Sequence, residues 1–284
     1  MNTVKTFLLS LTVLAFFSAQ AQLKTPQPSP AASVSQVVGL TDVEVSYSKP
    51  GMKGRTIFGE LVLYDKIWRT GANKATSISF STDVTIGGAE VKAGTYSLFT
   101  IPGKEEWTIL LNSETELWGA GDYDEAKEIA KFTIKPTSTK DVYETFTIDF
   151  SHLVGANGHM NLRWENTLVA IPIETGAIAN VEKQIKELLV DGPGAGTYYN
   201  AVRFYLDNDK DMNQALTWIN VAIEKRPNAF WYMHQKAKIQ AKLGDTKGAI
   251  ASAETSMKMA SENEAGDYGY VASNEKLIAE LKKK

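Results

Sequence analysis

Two short stretches carry the donors best suited to hold a polar ligand. SKPGMKGRTIFG, residues 48–59, places Arg55 just beyond Pro50, Gly51 and Gly54; WRTGANKAT, residues 68–76, brackets Gly71 with Arg69 and Asn73 and adds the hydroxyls of Thr70 and Thr76. Proline fixes φ, glycine permits turns closed to other residues, and arginine presents a planar fork of donors that matches a carboxylate, a phosphate or a polyol. The expectation is that Arg55, Arg69 and Asn73 converge on one surface, with Thr70, Thr76 and Tyr47 as supporting contacts. The alternative is that both arginines tie down loop carbonyls.

A third stretch, WGAGDY, sets Trp118, Asp122 and Tyr123 around two glycines. That combination suits stacking on a sugar as well as ordinary loop packing, and these three residues join the candidate ligand site. Trp68, following Ile67 at a strand end, reads as core. A glycosidase needs only two carboxylates across a cleft, and Glu60, Asp65, Asp122 and Asp124 are the residues that a carbohydrate-active hydrolase would use. The chain has no G-x-S-x-G elbow, no Walker A loop and no dinucleotide fingerprint. Its histidines, His152, His159 and His234, do not make the three-ligand set of a catalytic zinc; the first two flank LVGANG and read as turn residues. With no cysteine there is no disulfide and no thiolate ligation, and the reading assigns neither metal nor cofactor.

These residues need a frame. Apolar positions alternate with period two from residue 33 to 174, as in Val43/Val45/Tyr47, Ile78/Phe80, Trp107/Ile109/Leu111, Phe146/Ile148/Phe150 and Met160/Leu162/Trp164. Gly87-Gly88 separates two short runs by the length of a tight primed turn, and Pro102-Gly103 closes another strand. About nine short strands without crossover helices predict an antiparallel β-sandwich or jelly roll over 33–174. The long interruption is Ser113 to Glu128.

Beyond Thr175 the period becomes helical, with Ile178, Val181, Ile185, Leu188 and Leu189 on one stripe before DGPGAG, residues 191–196. Gln214-Ala215-Leu216 returns as Gly248-Ala249-Ile250, thirty-four residues later, and Ala222 returns as Ser256. This resembles the tetratricopeptide repeat, with Pro227 at the terminal proline. The signature first-helix tryptophan and glycine are replaced by Tyr199 and Arg203, then by Met233 and Ala237. The resemblance implies helical hairpins over 176–284 that either dock a partner protein or cap the sandwich.

The first 21 residues read as a signal peptide: Lys5, an apolar run from Phe7 to Phe17, and Ala19-Gln20-Ala21 ahead of a cleavage site at Gln22. Eleven apolar residues are short for a bilayer of ~30 Å, so the reading is a soluble periplasmic or secreted chain without a membrane span. Residues 22–32, rich in proline, read as a linker. Losing Lys5 and no acid moves the net charge from −3 to −4, a poor match for nucleic acid or an anionic membrane. The closing Lys282-Lys283-Lys284 reads as a solvated helix end.

Between residues 30 and 174 the chain resembles the bacterial domain of unknown function family 2911, on YSKPGMKGRTIFG, WRTGANKATSISFSTDV, KAGTYSLFTIPG, WTILLN and WG ahead of DY, all in the family's order. The resemblance implies an exported β domain, in some members followed by helical repeats, and supplies no activity. In AKEIAKF the family more often has aspartate and arginine at the positions of Glu128 and Lys131, which implies a less rigid acid–base pair here. The expectation is a noncatalytic envelope protein that binds a small polar or anionic ligand or a glycan on its β domain. A hydrolase and a structural assembly module stand as alternatives.

Overall fold

The computed structural model describes residues 25–190 and 192–283. The proposed leader, its cleavage site, Asp191 and the final lysine lie outside the described residues. The chain divides after Thr175 into a β unit and a helical unit.

In the β unit, β1 (Ala31–Val38), β2 (Thr41–Ser48), β3 (Thr76–Phe80), β6 (Gly94–Ile101), β7 (Trp107–Asn112) and β8 (Glu128–Ile134) form one sheet in the order β1-β2-β3-β6-β7-β8. The second sheet runs β5-β4-β10-β9, from β4 (Val84–Ile86), β5 (Ala89–Val91), β9 (Thr137–Val154) and β10 (Asn157–Thr175). Neighbours pair antiparallel throughout. Gly87 and Gly88 both have positive φ, 57° and 85°, as the turn between β4 and β5 requires. The first strand starts at Ala31, inside the stretch read as linker, and Pro30 already accepts a hydrogen bond from the Lys49 amide.

The strands are not uniformly short. β9 and β10 span 18 and 19 residues and hold together through register shifts, one of them beside Glu165 at φ 52°. A shift by an odd number of residues, as between the Asn157–Val154 and His159–Ser151 pairs, moves the following side chains to the other face, so a long strand loses its simple alternation in the sequence. One core fills the space between the sheets, with Val43, Val45, Ile78, Leu98, Ile109 and Leu111 facing Ile148, Met160, Leu162, Trp164, Ile171 and Ile173. Each such side chain contributes about 1.5–3 kcal/mol on burial.

The helical unit contains, among the described residues, α1 (Ala177–Leu188), α2 (Ala195–Asp207), α3 (Met212–Lys225), α4 (Phe230–Lys242), α5 (Thr246–Ser261) and α6 (Tyr270–Leu281). Asp211 and Asp245 cap α3 and α5 by accepting from the first-turn amides of Asn213, Gln214 and Gly248. Ala215, Ala222, Ala249 and Ser256, the repeated small residues, are all fully buried, which lets neighbouring helices approach. None of the described helices is long and apolar enough to cross a membrane.

Candidate functional site

The first glycine loop docks on the four-stranded sheet. The Met52 amide donates to Glu144 O at 2.7 Å, the Lys53 amide to Glu144 Oε1 at 2.8 Å, and Gly51 bridges Thr145 of β9. Lys53 and Gly54 turn through positive φ, 51° and 72°. This turn folds the Arg55 guanidinium back on its own loop, where Nε donates to Met52 O at 2.8 Å and Nη2 to Gly51 O at 2.7 Å.

The second loop docks on the other sheet. Trp68 pairs with Thr100 on β6 in both directions, at 2.7 and 2.9 Å, and the Ala75 amide donates to Leu117 O. Thr70, Gly71 and Asn73 all have positive φ, and the hydroxyls make the turn self-supporting. Thr76 donates to Thr70 O at 2.6 Å, Thr70 to Thr100 Oγ1 at 3.1 Å, and Asn73 to Ser29 O and Ser48 Oγ. Tyr47 points inward, its hydroxyl accepting from the Ile148 amide at 3.0 Å.

Of the expected group, Arg55 is bonded to its own loop, Arg69 lies beside Gly119, and Asn73 reaches Ser48 at the start of the first loop. Thr70, Thr76 and Tyr47 are buried scaffold. What the loops share is the core. Phe58 from the first and Trp68 from the second meet edge to face at 6.3 Å and close over Trp107, Phe146 and Trp164, with Trp68 stacked on Trp164 at 5.8 Å.

The residues that do come together are Arg69 and the WGAGDY stretch. Lys74 faces Trp118 in an antiparallel bridge, and Arg69 lies beside Gly119. Residues 113–124 thus cover the outer face of β6 and β7, where Ile67, Leu117, Ala120 and Tyr123 pack on Ala75, Phe99 and Leu110. Tyr123 donates to Glu128 Oε1 at 2.9 Å; burial first, and this bond second, push its hydroxyl well above the usual phenol range. Lys131 stands 3.8 Å from Glu128. Asp122 is exposed, and Trp118 is 73% exposed.

Beside and beneath this cover runs a row that no single stretch of sequence displays. Strand register aligns Ser33 with Ser46, Ser46 with Ser77, Ser77 with Ser97, Ser97 with Asn112, and Asn112 with Glu128. Paired residues on antiparallel strands share a face, so these polar side chains line the outer surface opposite the core. Ser33 and Ser46 are exposed, whereas Ser97 and Asn112 are buried under the loop. Asn112 is held at both ends, by Asp124 O at 2.9 Å and the Glu114 amide at 2.8 Å. Among the described residues, Ser97 Oγ and Arg69 Nε are buried without a hydrogen-bond partner, a state that costs about 1–3 kcal/mol each.

The open half of the row is a shallow depression of about 600 Å³ lined by Ser33, Ser46, Ser48, Lys74, Ala75 and Ser77. A second row, Ser35, Glu44, Ser79 and Thr95, crosses the same face and lines a neighbouring depression of about 500 Å³.

The family model described as "Protein of unknown function (DUF2911)" matches residues 29–173, just over half of the chain. The chain belongs to this family. The DUF2911 match takes in both glycine loops, the covering loop and the polar row, and it stops at the end of the β unit. No curated protein matches the chain.

The remaining candidates of the DUF2911 chain are scattered. Glu60, Asp65, Asp122 and Asp124 are all exposed; Asp65 lies by Pro102, where its amide donates to the carbonyl, and Asp124 caps the short 3-10 turn Glu125–Lys127. His234 is half-buried against Asn274, its Nδ1 2.7 Å from Oδ1, and burial holds its imidazole below the usual range. The serines of the row were missed because they lie on four separate strands. The readable signal was their place at the polar positions of alternating strands, as Ser77 and Ser79 in TSISF.

Proposed function

We propose that the β unit is a noncatalytic binding module of an exported protein, and that it takes a neutral glycan or polyol across the outer face of the six-stranded sheet. The observation that carries this reading is Trp118, 73% exposed and bridged through the backbone to Lys74, which lines the serine-rich depression. An exposed indole offers a flat apolar surface for the C–H face of a sugar ring, and the floor offers hydroxyls that donate and accept. Adjacent strands present these hydroxyls every ~4.8 Å, close to the length of one sugar residue.

Charge favours a neutral ligand over an anion. Lys74 is held by Glu116 at 2.9 Å, and Asp42 and Glu44 line the neighbouring depression. The test is calorimetric titration of the full chain with malto-, cello- and chito-oligosaccharides, with citrate and inorganic phosphate as anionic competitors. The expected result is binding of one oligosaccharide class, weakened roughly tenfold or more by Trp118→Ala and unaffected by the anions. Binding that Trp118→Ala leaves unchanged, or binding of the anions alone, would overturn the reading.

A further inference from the structure

The tip of the β9–β10 hairpin brings together two histidines that the glycan reading does not use. His159 pairs directly with Ser151, so the two share the outer face of the four-stranded sheet. His152, one residue on, would by simple alternation point to the opposite face. Its backbone instead adopts φ 52°, in the left-handed region that residues other than glycine rarely enter. The two imidazoles stand with ring centres 4.9 Å apart and planes inclined by 43°.

That spacing is what a shared ion requires. Two imidazole nitrogens at ~2.0–2.1 Å from one metal, with an angle near 100°, put the ring centres roughly 5 Å apart. The pair is also held from behind. His152 Nδ1 lies 3.1 Å from Ser151 Oγ, and the tautomer that donates this bond leaves Nε2 free as a ligand. Asn161 Nδ2 donates to Ser151 Oγ at 2.9 Å and to Asp149 Oδ1 at 2.6 Å, while Asp149 Oδ2 accepts from Arg163 Nε at 2.6 Å. Asn161 is almost wholly buried, so the hydrogen-bonded chain behind the histidines is fixed while His152 itself is exposed.

We propose that His152 and His159 form an open two-imidazole site for a late first-row divalent metal ion. No group of three or more histidine, cysteine or acidic ligands is gathered among the described residues, so water or an outside ligand completes the coordination and the ion exchanges readily. Nitrogen ligands with open positions favour Cu²⁺, then Ni²⁺ and Zn²⁺, and give Mg²⁺ nothing. The outward-facing pair is thus a place to capture or pass on such an ion. The proposal is independent of the glycan site.

The test uses the full chain without an affinity tag, titrated calorimetrically with Cu²⁺, Zn²⁺ and Mg²⁺ in a weakly coordinating buffer. One Cu²⁺ or Zn²⁺ per chain is expected, abolished in His152→Ala and in His159→Ala, weakened about tenfold in Ser151→Ala, and unchanged in His234→Ala. The electron paramagnetic resonance spectrum of the Cu²⁺-loaded wild type should show coupling to two imidazole nitrogens, a readout independent of how the variants fold. Absence of binding, binding that survives in the double variant, or a spectrum without two imidazole nitrogens would overturn the proposal.

Discussion

The two glycine loops are built from the same residue types and do different work. The loop at 48–59 closes on itself: its arginine satisfies its own carbonyls, and its amides satisfy Glu144. The loop at 68–76 closes through buried hydroxyls and leaves Arg69 Nε buried and unmatched beneath the cover formed by 113–124. An arginine beside a glycine is therefore not by itself a ligand signal. The informative feature is a donor left without a partner next to an exposed aromatic.

The largest expected effect concerns what the loops have in common. Replacing Trp68 with alanine removes the ring that links Phe58, Phe146 and Trp164, and its indole Nε1 bond to Gly71 O at 3.0 Å. Urea unfolding should show a loss of about 3–5 kcal/mol. A loss below ~1 kcal/mol would mean the loops do not share a core.

The next measurement separates the loops. A Cβ at Gly71 would sit 3.1 Å from Ser48 O and 3.2 Å from Thr76 Oγ1, whereas one at Gly54 would meet nothing within 4 Å. Both positions have positive φ. Gly71→Ala should cost about 2–3 kcal/mol and Gly54→Ala about 1 kcal/mol, compared by thermal melting.

A smaller contrast lies in the arginines. Arg55→Ala should lower stability by about 1 kcal/mol, the low end for an exposed charged donor. Arg69→Ala should change it by no more than about 0.5 kcal/mol, because deleting an unmatched buried donor offsets the lost packing.

Much of this frame was legible in the sequence. Period-two alternation located the sheets, Gly87-Gly88 their tightest turn, and the change of period at Thr175 the start of the helices. The lengths of β9 and β10 were not, because bulges break the alternation that length is read from. Nor was the polar row. Ser77 and Ser97 become neighbours only when β3 pairs with β6, with the β4–β5 hairpin between them in sequence. The different partners of Arg55 and Arg69 have the same origin, since sequence proximity does not say which strands a loop will meet.

The smallest effect is electrostatic and belongs to the covering loop. Lys127 holds the Glu114 carboxyl below its usual range through a hydrogen bond, helped by the Glu116 amide, and Glu114 raises Lys127 in turn. A depressed carboxyl stabilises above its unfolded value of 4.5 and ceases to as pH falls through its folded value. A raised lysine stabilises below 10.5 and ceases to as pH rises through its folded value. Lys127 is exposed and Glu114 half-buried, so solvent screens the pair and the effect is local. Amides of 113–127 should exchange slightly faster below about pH 4, after correction for intrinsic rates, and Glu114→Gln should remove that dependence.

The most direct test of the central claim is amide chemical-shift mapping on the full chain during titration with the oligosaccharide that binds. Ligand-dependent shifts should concentrate at Ser33, Ser46, Lys74, Ser77 and Trp118, with the amide and side-chain signals of Arg55 unmoved. Shifts centred on residues 51–55, or spread over the helical unit with the serine row silent, would contradict the assignment of binding to the face beside the second loop.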